Sequence, residues 1–291
     1  MTKLLPIWSI PYTQYVNKKL PSIVWEFKNN WYSTKAIHTF EKKFFNRNNA
    51  YPFLWFDKFI AVEDMEYPTF KWPFVSDDYF VNEIIYNLKT FQDKPNFIFG
   101  ISMQNHFSYE WEKYKKDEIN VEVNSDKLLS EKNRKILTNY TQWISDADKS
   151  LEKLISYLKS REKPTIVLFF WDHLGTMWDN YETYRETWYI KSKSTEKLSI
   201  DEISSIHLTP FLIWDNLWIK KQNLEKIPAY YLWNHLLDYF NFNKKSRYFE
   251  NMDYLYKDYL KNPWNNDLLK KHHLLQYDMF FWENFLEKIW Y

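Results

Sequence analysis

The sequence predicts an α/β fold, a mostly parallel central sheet flanked by helices. Three observations carry this. Apolar runs of strand length alternate with segments of helical periodicity along most of the chain. One long stretch, with Leu137, Tyr140, Ile144, Ala147, Leu151, Leu154 and Leu158 alternately three and four apart, is a strong amphipathic helix. It leads into Thr165 to Phe170, a continuous apolar run of the kind a parallel sheet buries on both faces.

The elements follow in order. Leu20 to Asn30 reads as a helix with Leu20, Ile23, Val24 and Phe27 on its apolar face, and Trp31 stands just past its end. Ser33 to His38 is a strand, followed by a loop-rich segment to Pro73. Ser76 is placed to cap a helix with Phe80, Ile84, Ile85, Leu88 and Phe91 on one face, ending before Pro95. The strand Asn96 to Ser102 precedes a polar excursion and the long helix. After Thr165 to Phe170 come a strand at Pro210 to Trp214, a helix around Tyr230 to Phe240, and from Asn243 a tail of short helices.

Composition narrows the function classes. Lys and Arg number 39 against 38 Asp and Glu, so the charge balance gives no support to a nucleic-acid partner. With no cysteine, disulfide and thiolate chemistry are excluded. No apolar run approaches the roughly 20 residues that span a bilayer, so the chain itself reads as soluble. Two counts are abnormal: 2 Gly and 16 Trp, where an average chain of this length has about 20 glycines. Several tryptophans stand in surroundings that normally hold glycine. Trp31 follows a helix, and Trp8, Trp72, Trp178 and Trp188 lie beside turn-forming residues. Trp214 reads instead as a strand residue.

Three histidines stand at or just past strand ends: His38, His106 and His173. In open α/β sheets ligands gather at the carboxyl ends of strands, so these endings are expected to share a crevice. Asp172 beside His173 offers one hard oxygen and one imidazole nitrogen, a set suited to a divalent cation.

Four segments then form a series: Ile101-Ser-Met-Gln-Asn-His106, Asn139-Tyr-Thr-Gln-Trp-Ile-Ser-Asp-Ala-Asp148, Pro164 to His173, and Thr209-Pro-Phe-Leu-Ile-Trp214. Together with Tyr32 to His38, Phe44-Phe-Asn-Arg47 and Tyr51 to Asp57, this series resembles lipoteichoic acid synthase-type sulfatase-like proteins of the alkaline phosphatase superfamily. The likeness is collinear from about Leu5 to Phe240. It implies an alkaline-phosphatase/sulfatase-like sandwich, with a partial catalytic domain at 1–242 and a helical tail at 243–291.

The resemblance implies that Asp172 and His173 bind a divalent cation (Mn, Mg or Zn), and that His38, Arg47 and His106 hold the phosphate of a phosphoglycerol-type lipid or of another phosphate or sulfate ester. Phe45 and Phe107 either line a head-group pocket or simply pack, and Asn105 either meets the phosphate or caps its loop. The family's Thr nucleophile, first acidic metal ligand and membrane-spanning helices precede the segment matching Leu5 to Tyr12, and neither Thr13 nor Thr39 can be promoted in their place. The chain is therefore expected to be the carboxyl-terminal part of a membrane-anchored, extracytoplasmic enzyme and inactive alone. Transferase, sulfatase and phosphodiesterase action stay open, as do a carbohydrate-binding module with exposed tryptophans and a degenerate, non-catalytic relative.

The family pattern also has Gly where this chain has Trp31, Trp55, Trp143 and Trp171. This implies a gene that uses UGA for glycine, read with UGA as tryptophan. The alternative is a genuinely aromatic-rich protein whose tryptophans are core or ligand-stacking residues.

Overall fold

The computed structural model describes residues 9–281 except 72, 91–92, 111–113, 176, 178–180, 225 and 263–264. Trp8, Trp72, Trp178 and Phe91 lie outside the described residues. In chain order the elements begin with α1 (Pro11–Gln14), α2 (Ile23–Asn29), β1 (Ser33–His38), α3 (Arg47–Phe53), β2 (Lys58–Ile60), β3 (Phe70–Lys71), β4 (Phe74–Val75), α4 (Asp77–Thr90) and β5 (Asn96–Ile101). They continue with α5 (Glu131–Lys159), β6 (Ile166–Phe170), α6 (Glu182–Glu186), α7 (Ile200–Ile206), β7 (Phe211–Asp215), α8 (Leu232–Tyr239), α9 (Arg247–Lys261) and α10 (Asn266–Phe281). The chain divides into two compact units, one of Met1–Met65, Asn87–Ile101 and Ile219–Tyr291, the other of Glu66–Tyr86 and Ser102–Trp218.

The first unit holds a parallel sheet in the order β2-β1-β5, with His38 opposite Ile101 at the carboxyl end of the β1–β5 pair. β1 is central, and its residues Thr34 to His38 are all buried. The short β2 lies within the stretch expected to be loop. Its register is set by Asp57, whose carboxylate accepts from the Thr34 amide at 2.9 Å and the Thr34 hydroxyl at 3.0 Å. One core cluster joins Ile23, Val24 and Phe27 of α2 to Phe97, Leu237 and Phe249, so the apolar face read from the α2 sequence is the face that packs. The tail is longer-helixed than expected and belongs to this unit. Glu26, fully buried, accepts from the amides of Lys245 and Ser246 at 2.7 and 2.9 Å, placing a carboxylate where the amino terminus of α9 needs an acceptor.

The helix ends bear on the tryptophan count. At the end of α2, the Trp31 amide donates to Lys28 O and the Tyr32 amide to Phe27 O, with Trp31 at φ 67°. This is a Schellman cap, whose left-handed residue is normally glycine. α3 ends the same way: Trp55 has φ 76°, and the amides of Trp55 and Phe56 donate to Pro52 O and Tyr51 O. α6 stops at Trp188, φ 63°, whose amide donates to Arg185 O. α8 uses Asn241 at φ 53°, a residue type that tolerates the region. Trp218, also at positive φ, is 97 % exposed, whereas among the described residues no glycine has positive φ. Trp143 and Trp171 lack this geometry: Trp143 is buried within α5 and Trp171 follows β6. Trp214 is a strand residue of β7, as expected, opposite Val167.

In the second unit β6 pairs antiparallel with β7, Ile166 opposite Asp215 and Phe170 opposite Phe211. Both strands are short and every β6 residue is half-buried, so the expectation of a strand covered on both faces is not met. α5 begins earlier than its apolar stripe, because the Ser130 hydroxyl caps it by accepting from the Asn133 amide at 3.3 Å. Gly175 is required by close approach, since a Cβ there would lie 2.7 Å from the Tyr109 hydroxyl. Among the described residues no helix is long and apolar enough to cross a membrane.

Candidate functional site

β1 delivers His38 to the carboxyl edge of the parallel sheet, where the ring is fully buried. Its Nδ1 lies 3.1 Å from Ile101 O on the neighbouring strand. A carbonyl only accepts, so Nδ1 carries the proton and the neutral ring presents Nε2 as an acceptor. Nε2 is buried without a hydrogen-bond partner. Burial first, and the positive charge of Arg47 second, hold the His38 pKa down at about 4.

Arg47 opens α3 directly after Phe45 and Asn46, two consecutive residues at positive φ of 53° and 59°. Left-handed backbone in non-glycine residues is strained and is tolerated where surrounding structure enforces it. Here it brings the guanidinium to 5.3 and 5.2 Å from the Phe44 and Phe45 rings, with Nη1 donating to Phe44 O at 3.2 Å. Arg47 is 7 % exposed and its Nε is buried without a hydrogen-bond partner. Among the described residues no carboxylate pairs with it. A buried arginine is costly unless an anion answers it, so the end of β1 carries a buried cation with an unpartnered donor.

His106 follows β5 and belongs to the second unit. Its ring stacks on Phe107 at 4.5 Å, meets the Phe74 edge at 5.6 Å, and places Nδ1 3.1 Å from Phe107 O. The loop bearing it is pinned by Gln104, 2 % exposed, which accepts from the Asp77 amide at 2.7 Å and donates to Asp146 at 3.1 Å. Asp146 also accepts from the Tyr114 hydroxyl at 2.7 Å and from Gln142 at 3.0 Å. Burial pushes the Asp77 carboxyl up to about 6, opposed by a Ser102 hydrogen bond and reinforced by the Asp146 charge. Asn105 has a buried Oδ1 with no hydrogen-bond partner. Phe45 and Phe107, 40 % and 38 % exposed, lie against Arg47 and His106 and are not core residues.

Asp172 and His173 follow β6 in the open, with side chains 81 % and 61 % exposed. The His173 amide donates to Asp172 Oδ1 at 2.9 Å, Nδ1 lies 2.9 Å from Leu174 O, and Nε2 is 3.6 Å from Asp172 Oδ2. Two donors of these types bonded at about 2.1 Å to one tetrahedral cation stand about 3.4 Å apart, close to this spacing. The pair therefore fits two positions of a divalent-ion site. No group of three or more such ligands occurs among the described residues, so this pair would be half of a ligand set.

The structure thus brings His38 and Arg47 together in one unit, and places Asp172 and His173 side by side in the other with His106. Among the described residues β1 pairs with β5, and β6 pairs with β7 in a separate sheet. Sequence reasoning missed the Gln104–Asp146–Tyr114 network, which no local pattern announces, and Tyr51, whose signal is its i, i+4 spacing from Arg47.

The sulfatase family pattern matches residues 5–242. A putative cyclic beta-1,2-glucan modification protein of Rhizobium meliloti (strain 1021) is 35 % identical over 228 residues, 78 % of this chain and 34 % of the relative. The chain thus spans about a third of that relative's length. Among solved structures, the Streptococcus pyogenes phosphoglycerol transferase GacH, in complex with sn-glycerol-1-phosphate, superposes with a TM-score of 0.70 at 22 % identity, covering 98 % of this chain and 72 % of that one. The lipoteichoic acid synthase LtaP of Listeria monocytogenes gives 0.53 at 22 % identity, covering 71 % and 48 %. The fold is shared with that phosphoglycerol transferase, and by the extent of the match the chain belongs to the sulfatase family.

Proposed function

We propose that the chain is the ester-holding part of a metal-dependent phosphoglycerol transferase or sulfatase-like hydrolase, acting on phosphate or sulfate esters at the extracytoplasmic face of the cell membrane. The observation that carries this reading is the end of β1, where a buried guanidinium lies within electrostatic reach of a buried imidazole and, among the described residues, no carboxylate pairs with it. An ester anion supplies the missing charge. Arg47 grips two of its oxygens, a geometry the planar guanidinium suits, and Phe44 and Phe45 keep water from the back of the cation. His38 Nε2 accepts a hydrogen from a glycerol hydroxyl or, once the anion offsets the Arg47 charge, takes a proton and donates to the phosphate.

Asp172 and His173 would hold a divalent ion of the kind sulfatase-family members generally use, which would supply Lewis-acid chemistry. No turnover is expected from this chain alone, because its residues provide the holding groups and no identified nucleophile. The names of the relatives favour phosphoglycerol as the group held and a glycan as its acceptor. The exposed tryptophans do not favour a sugar-stacking module, since Trp31 and Trp188 stand at helix caps.

Titration of the 291-residue chain with sn-glycerol 1-phosphate, by calorimetry with and without Mn2+, tests the reading. Saturable binding that weakens in both His38→Ala and Arg47→Ala is expected. Equal binding by wild type and both variants, or none by wild type, would overturn it.

A further inference from the structure

Tyr51 lies one helical turn after Arg47 on α3, so the two side chains share a face. The Tyr51 residue is 1 % exposed, and its hydroxyl is buried without a hydrogen bond of 3.5 Å or less. It nevertheless lies within electrostatic reach of the Arg47 guanidinium and of Tyr12. The Tyr12 ring meets Tyr51 edge-on at 5.6 Å, and Asn46, which precedes Arg47, donates to Tyr12 O at 3.2 Å. Burial raises the pKa of both phenols, so both are neutral hydroxyls at physiological pH.

We infer that Tyr51, backed by Tyr12, is a positioning residue that holds the Arg47 guanidinium for an anionic ester without neutralising it. This rests on the proposed function. The choice of residue follows from charge. A buried arginine is ordinarily fixed by Asp or Glu, which pins it and cancels its charge together. Here its surroundings are a carbonyl, two aromatic rings and two phenols. Each orients the guanidinium through a dipole or quadrupole, and none removes the positive charge. Tyr51, one turn along the same helix face and buried beside Tyr12, offers the cation a neutral dipole in place of a charge. The end of β1 is thereby kept electrically unsatisfied until a phosphate-class anion enters, and the guanidinium is already aimed when it does. This makes Tyr51 a determinant of affinity with no required contact to the ligand.

A double-mutant cycle tests the assignment, with inorganic phosphate and sn-glycerol 1-phosphate as probes and the full chain in each case. Tyr51→Phe removes only the hydroxyl. It is expected to weaken binding about fivefold in the wild-type background and less than twofold in an Arg47→Lys background, because lysine's point charge lacks the planar fork the phenol orients. Melting temperature should change little, separating positioning from packing. A loss in Tyr51→Phe that is equally large in the Arg47→Lys background, or no loss at all while Arg47→Ala abolishes binding, overturns the role of Tyr51 alone. Wild type that binds neither probe, or an Arg47→Ala variant that binds as wild type does, overturns both this inference and the functional reading.

Discussion

His38 closes β1 and His173 stands just past β6, the same residue type in the same kind of position, yet the first is fully buried and the second 61 % exposed. The difference comes from what pairs with each strand. β1 is central in a parallel sheet, so Ile101 O on its neighbour is in place to fix the His38 ring. β6 has a single described partner, β7, which runs antiparallel. Asp172 and His173 therefore leave the strand into a loop, where they meet local backbone and each other. Two strand endings with similar residues can thus be prepared to opposite degrees. One is buried and lacks an anion for its arginine, whereas the other is open to solvent.

Arg47 gives the strongest way to break this contrast. Arg47→Met should lower phosphate affinity about 100-fold, roughly 3 kcal/mol, as expected for losing a charge-assisted bidentate contact. The same variant should melt a few degrees higher without ligand, because an unanswered buried charge is replaced by apolar volume. Calorimetric binding and thermal melts on one sample check both signs. A variant that binds weakly and also unfolds earlier would mean that the guanidinium is structural.

His38 sharpens the comparison through pH. Its pKa is about 4 in the folded chain against an ordinary value near 6.5. Between these values the unfolded chain takes up a proton that the folded ring refuses, so stability is full above about pH 6.5 and falls as pH drops toward 4. The loss is on the order of 2 to 3 kcal/mol at the acid end. His272, also held at about 4 by burial, adds a similar slope. His38→Gln should remove part of the loss in urea melts between about pH 7 and 4, the rest falling to His272 and to His235, whose pKa burial also lowers. A His38→Gln profile equal to that of the wild type would remove the burial of His38 from the comparison.

At β6 the expected effect is smaller. Asp172→Ala should weaken Mn2+ binding roughly tenfold, in line with losing one donor from a site already solvated. Electron paramagnetic resonance titration measures it directly. Binding unaffected by both Asp172→Ala and His173→Ala would leave the pair without a ligand role.

The sequence announced these elements unequally, for physical reasons. α2 and α5 were legible because a buried helix face needs one residue type every three or four positions. β1 and β5 were legible as runs, and their pairing followed the order of motifs. β2 was hidden, since three residues carry no period and its place is set by Asp57 reaching Thr34 across 23 positions. The antiparallel partnership of β6 and β7 was also invisible, because strand direction is not written in apolar alternation. At the site, His38 and Arg47 were found by type and motif. Their burial, the unpaired Nε atoms and the phenols beside Arg47 depend on distances no single segment encodes.

The helix ends extend the comparison to the tryptophans. Trp31 occupies a left-handed cap position in the open, 77 % exposed, whereas Trp171 sits half-buried beside the Tyr140 ring with no left-handed backbone. A side chain in the left-handed region costs roughly 1–2 kcal/mol, and glycine there is free of that strain. Trp31→Gly should thus stabilise the chain by about 1 kcal/mol. Trp188→Gly should do so by less, because Lys127 lies 3.9 Å above its ring. Trp55→Gly should fall near zero, since its indole donates to Leu20 O at 2.9 Å and packs in the core of the first unit. Trp171→Gly should destabilise by losing its ring contact. Urea denaturation of the four variants orders them, and the genomic codons give an independent reading. TGA at 31, 55 and 188 would make the written tryptophans glycines in the source cell, matching the caps their backbone forms, and TGG there would leave the strain as a property of the protein.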